Sequence, residues 1–321
     1  MLCGMERKRI RLSGKYRLIT RSDFDGLVCG MLLREAGWVD SVLFTHPKNM
    51  QDGTQEVGNR DILVGLPYVH GCAMAFSLQD SDLVPPEAKE NGIFQCNPTS
   101  PSVSRLVYSW LGGRLAFPRI DQAMLLAVDK AHSAQYSEAE ILDPQDWVLL
   151  GFLMDARTGL GRFRDFRLSN YHLMLELIPF CQHHPIGKIL KHPDVAERIQ
   201  VYHDHQPRFR EQILRCTQLN GSVAIIDLRN EETIWAGNRF LVYALFPQAQ
   251  NSIHILWGLR RLNTVFAVGR SIVNPVSSVN IGKLMEQFQG GGRPFAGTCQ
   301  VPHDQANQAL HTLVESLNQA S

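Results

Sequence analysis

Leu18-Ile19-Thr20-Arg21-Ser22-Asp23-Phe24-Asp25-Gly26-Leu27-Val28-Cys29-Gly30 is the stretch on which the reading of this chain turns. An apolar run headed by Tyr16 ends in two aspartates one residue apart, then a glycine, and the apolar-periodic segment Leu27 to Leu33 follows. That pattern reads as strand, acidic loop, helix. In a parallel sheet, ligands sit at the carboxyl ends of the strands, so Asp23 and Asp25 would face the crevice such folds use for chemistry. Two carboxylates this close repel unless a cation lies between them, and Mg²⁺ or Mn²⁺ prefers oxygen ligands. The plainer alternative is that one aspartate caps the helix and the other faces solvent.

The 321 residues exceed one ordinary domain and suit two, and 44% hydrophobic with 20% charged residues is a globular composition that argues against disorder. A net charge of +1 supplies no global field for nucleic acid or an anionic membrane, so phosphate binding would need a local arrangement. No apolar run reaches the length of a membrane span. Met1 to Arg11, with Cys3, Glu6 and four basic side chains, resembles no signal peptide. Seven scattered cysteines without a C-x-x-C pair read as reduced thiols, which predicts a cytoplasmic protein without a zinc ribbon.

Outward from the opening stretch, Ser41 to Phe44, Asp61 to Leu66 and Cys72 to Phe76 read as further strands of a doubly wound sheet. Pro85 to Pro101 reads as loop. Helical spacing then dominates in Ser102 to Leu111, Asp121 to Lys130, Ser137 to Leu142, Asp146 to Met154 and Ser169 to Phe180. Gly112-Gly113 ends the first of these helices. Arg157 to Arg167 is a basic loop with interleaved aromatics, read as a solvated surface with Asp155 and Asp165 as local partners. His183-His184 and His203-Asp204-His205 have the wrong spacing to share a helical face and are not read as metal sites. Pro193 to Leu219 is a connecting helix in which Pro207 predicts an interruption. Beyond Gly221, strands at Ser222 to Leu228, Ser252 to Trp257 and Thr264 to Val268 mix with helices at Trp235 to Leu245, Asn280 to Phe288 and Gln305 to Leu317. The resulting division is 15–192 for a first domain, 193–219 for a linker and 220–321 for a smaller α/β domain.

Between the last predicted strand and the last helix stands Gly290-Gly291-Gly292-Arg293. Three glycines expose backbone N–H groups that can converge on an anion, and an arginine fork suits phosphate; a flexible turn is the alternative. Paired with the N-terminal D-x-D-G, this stretch resembles the DHH phosphoesterase superfamily, in its exopolyphosphatase-related branch. The segments Leu66-Pro67-Tyr68, Ala127 to Gln135, Gly159 to Tyr171 and Ala236-Gly237-Asn238-Arg239 carry the resemblance as well. It implies an α/β fold: an N-terminal doubly wound parallel-sheet DHH-like domain, a smaller C-terminal DHH-associated domain, and a cleft between them. It also implies that Asp23, Asp25 and Asp129 correspond to aspartates that help bind two divalent ions, normally manganese, and that the triple glycine contacts the substrate.

The departures from the family fall on the chemistry. Where Asp-His-His would follow the fourth strand, this chain has Ser77-Leu78-Gln79, and Arg293 replaces the histidine after the glycines. Leucine ligates nothing, and neutral Ser and Gln do not offset two dications. His132 stands where a carboxylate is expected, so Asp23, Asp25, Asp129 and His132 form a candidate site for at most one Mn²⁺ or Mg²⁺, or for none. The expectation is therefore a DHH-type phosphoesterase homologue with impaired catalysis. Its cleft would bind a phosphate-bearing small molecule or short oligonucleotide (nucleotide, oligonucleotide or polyphosphate) through Gly290, Gly291, Gly292 and Arg293, helped by Arg239. Two alternatives stand beside it: an active manganese-dependent phosphoesterase with a rearranged one-metal site, and a scaffold protein with a vestigial cleft. No membrane partner is expected, and a homo-oligomer is compatible with the sequence.

Overall fold

A computed structural model describes residues 14–163 and 165–319. The readings of Met1 to Arg11, of Cys3, and of Arg164 within the basic loop lie outside the described residues, as do the last two residues of the proposed C-terminal domain. The chain forms two compact units. One runs up to Gln135 and adds Gln145–Ala156 and Gly161–Ile199; the other consists of Tyr136–Pro144, Arg157–Leu160 and the chain from Gln200 onward.

In the first unit, β1 (Tyr16–Thr20), α1 (Phe24–Glu35), β2 (Val39–Phe44), α2 (Pro47–Gln51), β3 (Asp61–Val64), β4 (Met74–Ser77), α3 (Pro86–Glu90) and β5 (Phe94–Cys96) follow in order. The five strands make one parallel sheet in the order β2-β1-β3-β4-β5, the doubly wound sheet expected of the sequence. Its central strands are continuous apolar runs because both faces are covered: Leu18, Ile19, Ile62, Leu63, Met74 and Phe76 are all buried. The short β5 and α3 fall within the stretch read as loop. A three-residue edge strand leaves no periodic signal, and it is its pairing with β4 that defines it.

Helix α1 is buried almost all round, from Gly26 to Leu33. Its start lies so close to the end of β1 that a Cβ on Gly26 would sit 2.1 Å from the Arg21 carbonyl oxygen. The glycine of D-x-D-G is thus demanded by packing. Next come α4 (Val103–Leu111), α5 (Gln122–Ser133), α6 (Glu138–Leu142, which belongs to the second unit), α7 (Asp146–Met154), α8 (Asn170–His183) and α9 (Ile186–Ile189). Ser102 caps α4 by accepting from the Arg105 N–H, and Gly112 closes it at φ 117°, in the left-handed region where a side chain would be strained.

Helix α10 (Pro193–Cys216) continues without a break through Pro207, where an interruption was expected. Proline removes one N–H and one hydrogen bond of the ladder, a loss that the other turns of a 24-residue helix tolerate. Near its start, Arg167 of the basic loop pairs with buried Asp194, not with Asp155 or Asp165 as its local partner.

The second unit continues with β6 (Thr217–Asn220), β7 (Val223–Asp227), α11 (Leu241–Leu245), β8 (Asn251–Trp257), β9 (Thr264–Arg270), α12 (Ile281–Glu286), β10 (Gly291–Arg293), β11 (Ala296–Val301) and α13 (Ala306–Gln319). Six strands form one sheet in the order β10-β11-β9-β8-β7-β6, with only β7 and β8 parallel. Ile253, Ile255, Phe266 and Val268 pack on one face against Ile281 and Met285 of α12 and Leu313 and Leu317 of α13. The helix expected over Trp235 to Leu245 is cut to its last turn and a half. Asn238 Oδ1 accepts from the Phe240 N–H, a local bond that competes with the helical ladder.

Among the described residues, no helix is long and apolar enough to cross a membrane, and the six described cysteines are all unpaired.

Candidate functional site

Asp23 is the N-cap of α1. Its Oδ1 accepts from the Gly26 N–H at 2.9 Å and its Oδ2 lies 3.0 Å from Arg21 Nε. The capping role foreseen for one of the two aspartates falls to this one. Asp25, two residues further on, is turned inward, its side chain only 11% exposed instead of facing solvent.

Asp25 is saturated with donors. Its Oδ1 accepts from the Ser104 N–H at 2.7 Å and from the Ser104 hydroxyl, and its Oδ2 accepts from the Val103 N–H at 3.1 Å. His132 Nδ1 stands 2.8 Å from the same Oδ2, so this ring nitrogen carries the proton. Burial pushes the Asp25 carboxyl up, but the His132 bond and charge together with the Ser104 bonds outweigh it, and the net shift is downward. Cys29 lies one helical turn away, its sulfur 3.3 Å from Ser104 Oγ; burial and then the Asp25 charge hold its thiol well above the usual range.

Asp129 is equally occupied. Ser102 Oγ donates to its Oδ1 at 2.6 Å, while Arg105 reaches its Oδ2 with Nε at 3.0 Å and Nη2 at 2.6 Å. One element therefore serves both carboxylates: the first turn of α4 offers two N–H groups and Ser104 to Asp25, and Ser102 and Arg105 to Asp129. Asp129 and His132, three residues apart, share a face of α5. Sequence reasoning brought the helix at Ser102 into view but not Ser102, Ser104 or Arg105 as members of this cluster. A Ser-x-Ser-Arg helix start is too common a pattern to single out without the fold.

Ser77-Leu78-Gln79 turns on itself at the end of β4. Ser77 Oγ donates to the Gln79 carbonyl at 2.9 Å and accepts from the Gln79 N–H at 3.0 Å. The nearby Asp80 pairs with Lys89 at 2.7 Å, which holds its carboxyl below the usual range. Among the described residues, the one group of three potential metal ligands with atoms within 4.8 Å of one another is Glu176, His192 and Asp194. None of Asp23, Asp25, Asp129 and His132 belongs to it, and its Asp194 is already bonded to Arg167.

In the second unit, the triple glycine is not a turn. Gly291-Gly292-Arg293 is the edge strand β10, paired with β11 in the register Gly291 to Thr298 and Arg293 to Ala296. A Cβ on Gly290 or on Gly292 would lie 2.3 Å from a β11 carbonyl oxygen, that of Thr298 or of Ala296, whereas one on Gly291 would meet nothing within 4 Å. Two of the glycines are thus required by close strand approach, and the middle one lies against open space. Gly291 to Phe295 are exposed. Arg239 stacks on the Phe240 ring, its guanidinium carbon 4.1 Å from the centroid. Burial, with the Arg239 charge added, pushes His254 of β8 down to about 4.

These features can be set beside solved structures. A pGpG-specific phosphodiesterase, PggH from Vibrio cholerae, is 46% identical to this chain, covers 95% of it and 100% of its own length, and superposes with a TM-score of 0.81. The chain belongs to the DHH phosphoesterase superfamily.

Two more distant members share the DHH fold alone. An exopolyphosphatase-related protein from Bacteroides fragilis is 14% identical over 95% of this chain and 93% of its own, with a TM-score of 0.51. RecJ from Thermus thermophilus, solved in complex with Mn²⁺, is 10% identical over 95% of this chain and 52% of its own, with a TM-score of 0.52. No protein-family model and no curated protein matches the sequence. The two-unit α/β architecture expected of a DHH protein is present.

Proposed function

We propose that this chain is a phosphodiesterase for a short 5′-phosphorylated guanine dinucleotide. The observation that carries the reading is the 46% identity, spanning 100% of the relative's length, to a phosphodiesterase specific for pGpG. The chemistry of the residues supports it. Asp25 and His132 form a largely buried carboxylate–imidazole pair in the first unit. Gly291 and Arg293 of the second unit offer exposed backbone and a guanidinium suited to a phosphate, with Arg239 as a further cation.

The donor set does not fit a pair of divalent ions. Each carboxylate that would ligate them is already answered by a protein donor: Asp23 by Arg21, Asp25 by His132 and α4, Asp129 by Arg105. Asp23, Asp25 and His132 would hold a single Mn²⁺ or Mg²⁺ only by displacing Arg21 from Asp23 and parting the Asp25–His132 bond.

The occupied state of Asp129 and the closed turn of Ser77-Leu78-Gln79 favour a second reading, in which the dinucleotide is bound without being cut. Incubation of the full chain with pGpG and MnCl₂, followed by chromatography of the products and by calorimetry, separates the two. Release of GMP that disappears in Asp25→Asn is the expected result. Binding without GMP supports the second reading, and neither binding nor GMP overturns both.

A further inference from the structure

Asp129 is the residue that resemblance would assign to a metal, and both of its oxygens are engaged. Oδ1 holds the Ser102 hydroxyl at 2.6 Å, and Oδ2 holds two nitrogens of Arg105 at 3.0 and 2.6 Å. The guanidinium is itself anchored: the Arg105 N–H donates to Ser102 Oγ at 3.0 Å, and the guanidinium carbon lies 5.8 Å from the Tyr108 ring centroid. With side-chain exposures of 23% for Arg105 and 14% for Asp129, the pair is largely shielded from water. A charge attraction of this kind is weakly screened by salt.

Arginine cannot discharge by losing a proton. A dication arriving at Asp129 would have to displace the guanidinium and leave a mostly buried positive charge beside another. From this geometry we infer that Arg105 is the resident counter-ion of Asp129 and closes that carboxylate to metal. The chain then takes no more than one divalent ion near Asp25, and the charge a second ion would supply is built into α4. The inference stands on family membership and this ion pair, not on pGpG turnover: hydrolysis can fail with Asp129 still closed, and can succeed while Asp129 proves to be a ligand.

The test is a Mn²⁺ titration of the full chain, followed by electron paramagnetic resonance of free and bound ion. The native chain is expected to hold at most one ion, and Asp129→Asn is expected to leave the number of ions unchanged, because it removes no ligand. In Arg105→Gln, the freed carboxylate is expected to gain Mn²⁺, seen as an added bound equivalent and a larger rise in unfolding temperature with the metal than the native chain shows. Two ions on the native chain, loss of an ion in Asp129→Asn, or a folded Arg105→Gln that gains nothing would each overturn the inference. Should Arg105→Gln fail to fold, the Asp129→Asn titration decides alone.

Discussion

His132 Nδ1 and Asp25 Oδ2 stand 2.8 Å apart, joining the end of α5 to the first turn of α1 across 107 residues of sequence. The carboxylate also draws two backbone N–H groups from the start of α4, so three helices are tied at one shielded charge. The arrangement gives α4 a charged cap at its positive end and fixes which ring nitrogen of His132 holds the proton.

Removing that charge should destabilise the first unit. For Asp25→Ala the expected loss is about 3 kcal/mol, because the donors stay shielded from water without their acceptor. Urea unfolding measures it. The Asp25 carboxyl is held below its ordinary value of 3.8, so its contribution is complete above that value and is lost as pH falls through the lower folded value. Asp25→Asn should therefore flatten the acid limb of the stability curve below about pH 4.

His254 acts in the same direction at a higher pH. Burial and then Arg239 push it from 6.5 down to about 4, so between those values the unfolded chain binds the proton and the folded chain does not. Stability should fall as pH drops through this window, by about 3 kcal/mol, and level off below it. His254→Phe should remove that slope. An unchanged pH profile of the urea midpoint in the variant would refute the assignment.

The three glycines should behave differently from one another. Gly290→Ala and Gly292→Ala each force a methyl group to 2.3 Å from a carbonyl oxygen of β11, so each should lower stability by roughly 1–3 kcal/mol. Gly291→Ala meets open space and should leave thermal unfolding nearly unchanged. If β10 contacts the phosphate, Gly291→Ala should still weaken pGpG binding, which calorimetry would register against an unaltered melting curve.

Arg293→Ala should weaken pGpG binding about tenfold, the worth of a charge-assisted bond at an exposed site. The difference between native and variant should shrink as salt rises, since exposed charges are screened over about 8 Å at physiological ionic strength. A salt-independent difference would point to lost packing.

Much of the site could be anticipated from the chain alone. The apolar run ending in Asp23 and Asp25 marks a strand feeding a helix, and the structure has β1 and α1 there because both are buried and locally consistent. The strands β6, β10 and β11 were not anticipated. Thr217 to Asn220 is mostly exposed, and Gly291 to Arg293 has no β propensity, so neither announces itself without its neighbour in the sheet. The triple glycine looks like a turn in sequence and is an edge strand in space, because absent side chains suit close strand approach as well as they suit tight bends.

By its own letters the sequence determined the alternation of strands and helices, the D-x-D-G at a strand end, and the neutral Ser77-Leu78-Gln79 in place of acid and imidazole. Those are properties of local pattern and side-chain chemistry. Which charges answer one another was decided only by tertiary structure. Asp129 meets Arg105 and Ser102, and Asp25 meets His132 and the head of α4, through contacts that span from 24 to 107 positions. Spacing along a chain carries no record of such distances, because it is the packing of α1, α4 and α5 that brings the groups into reach.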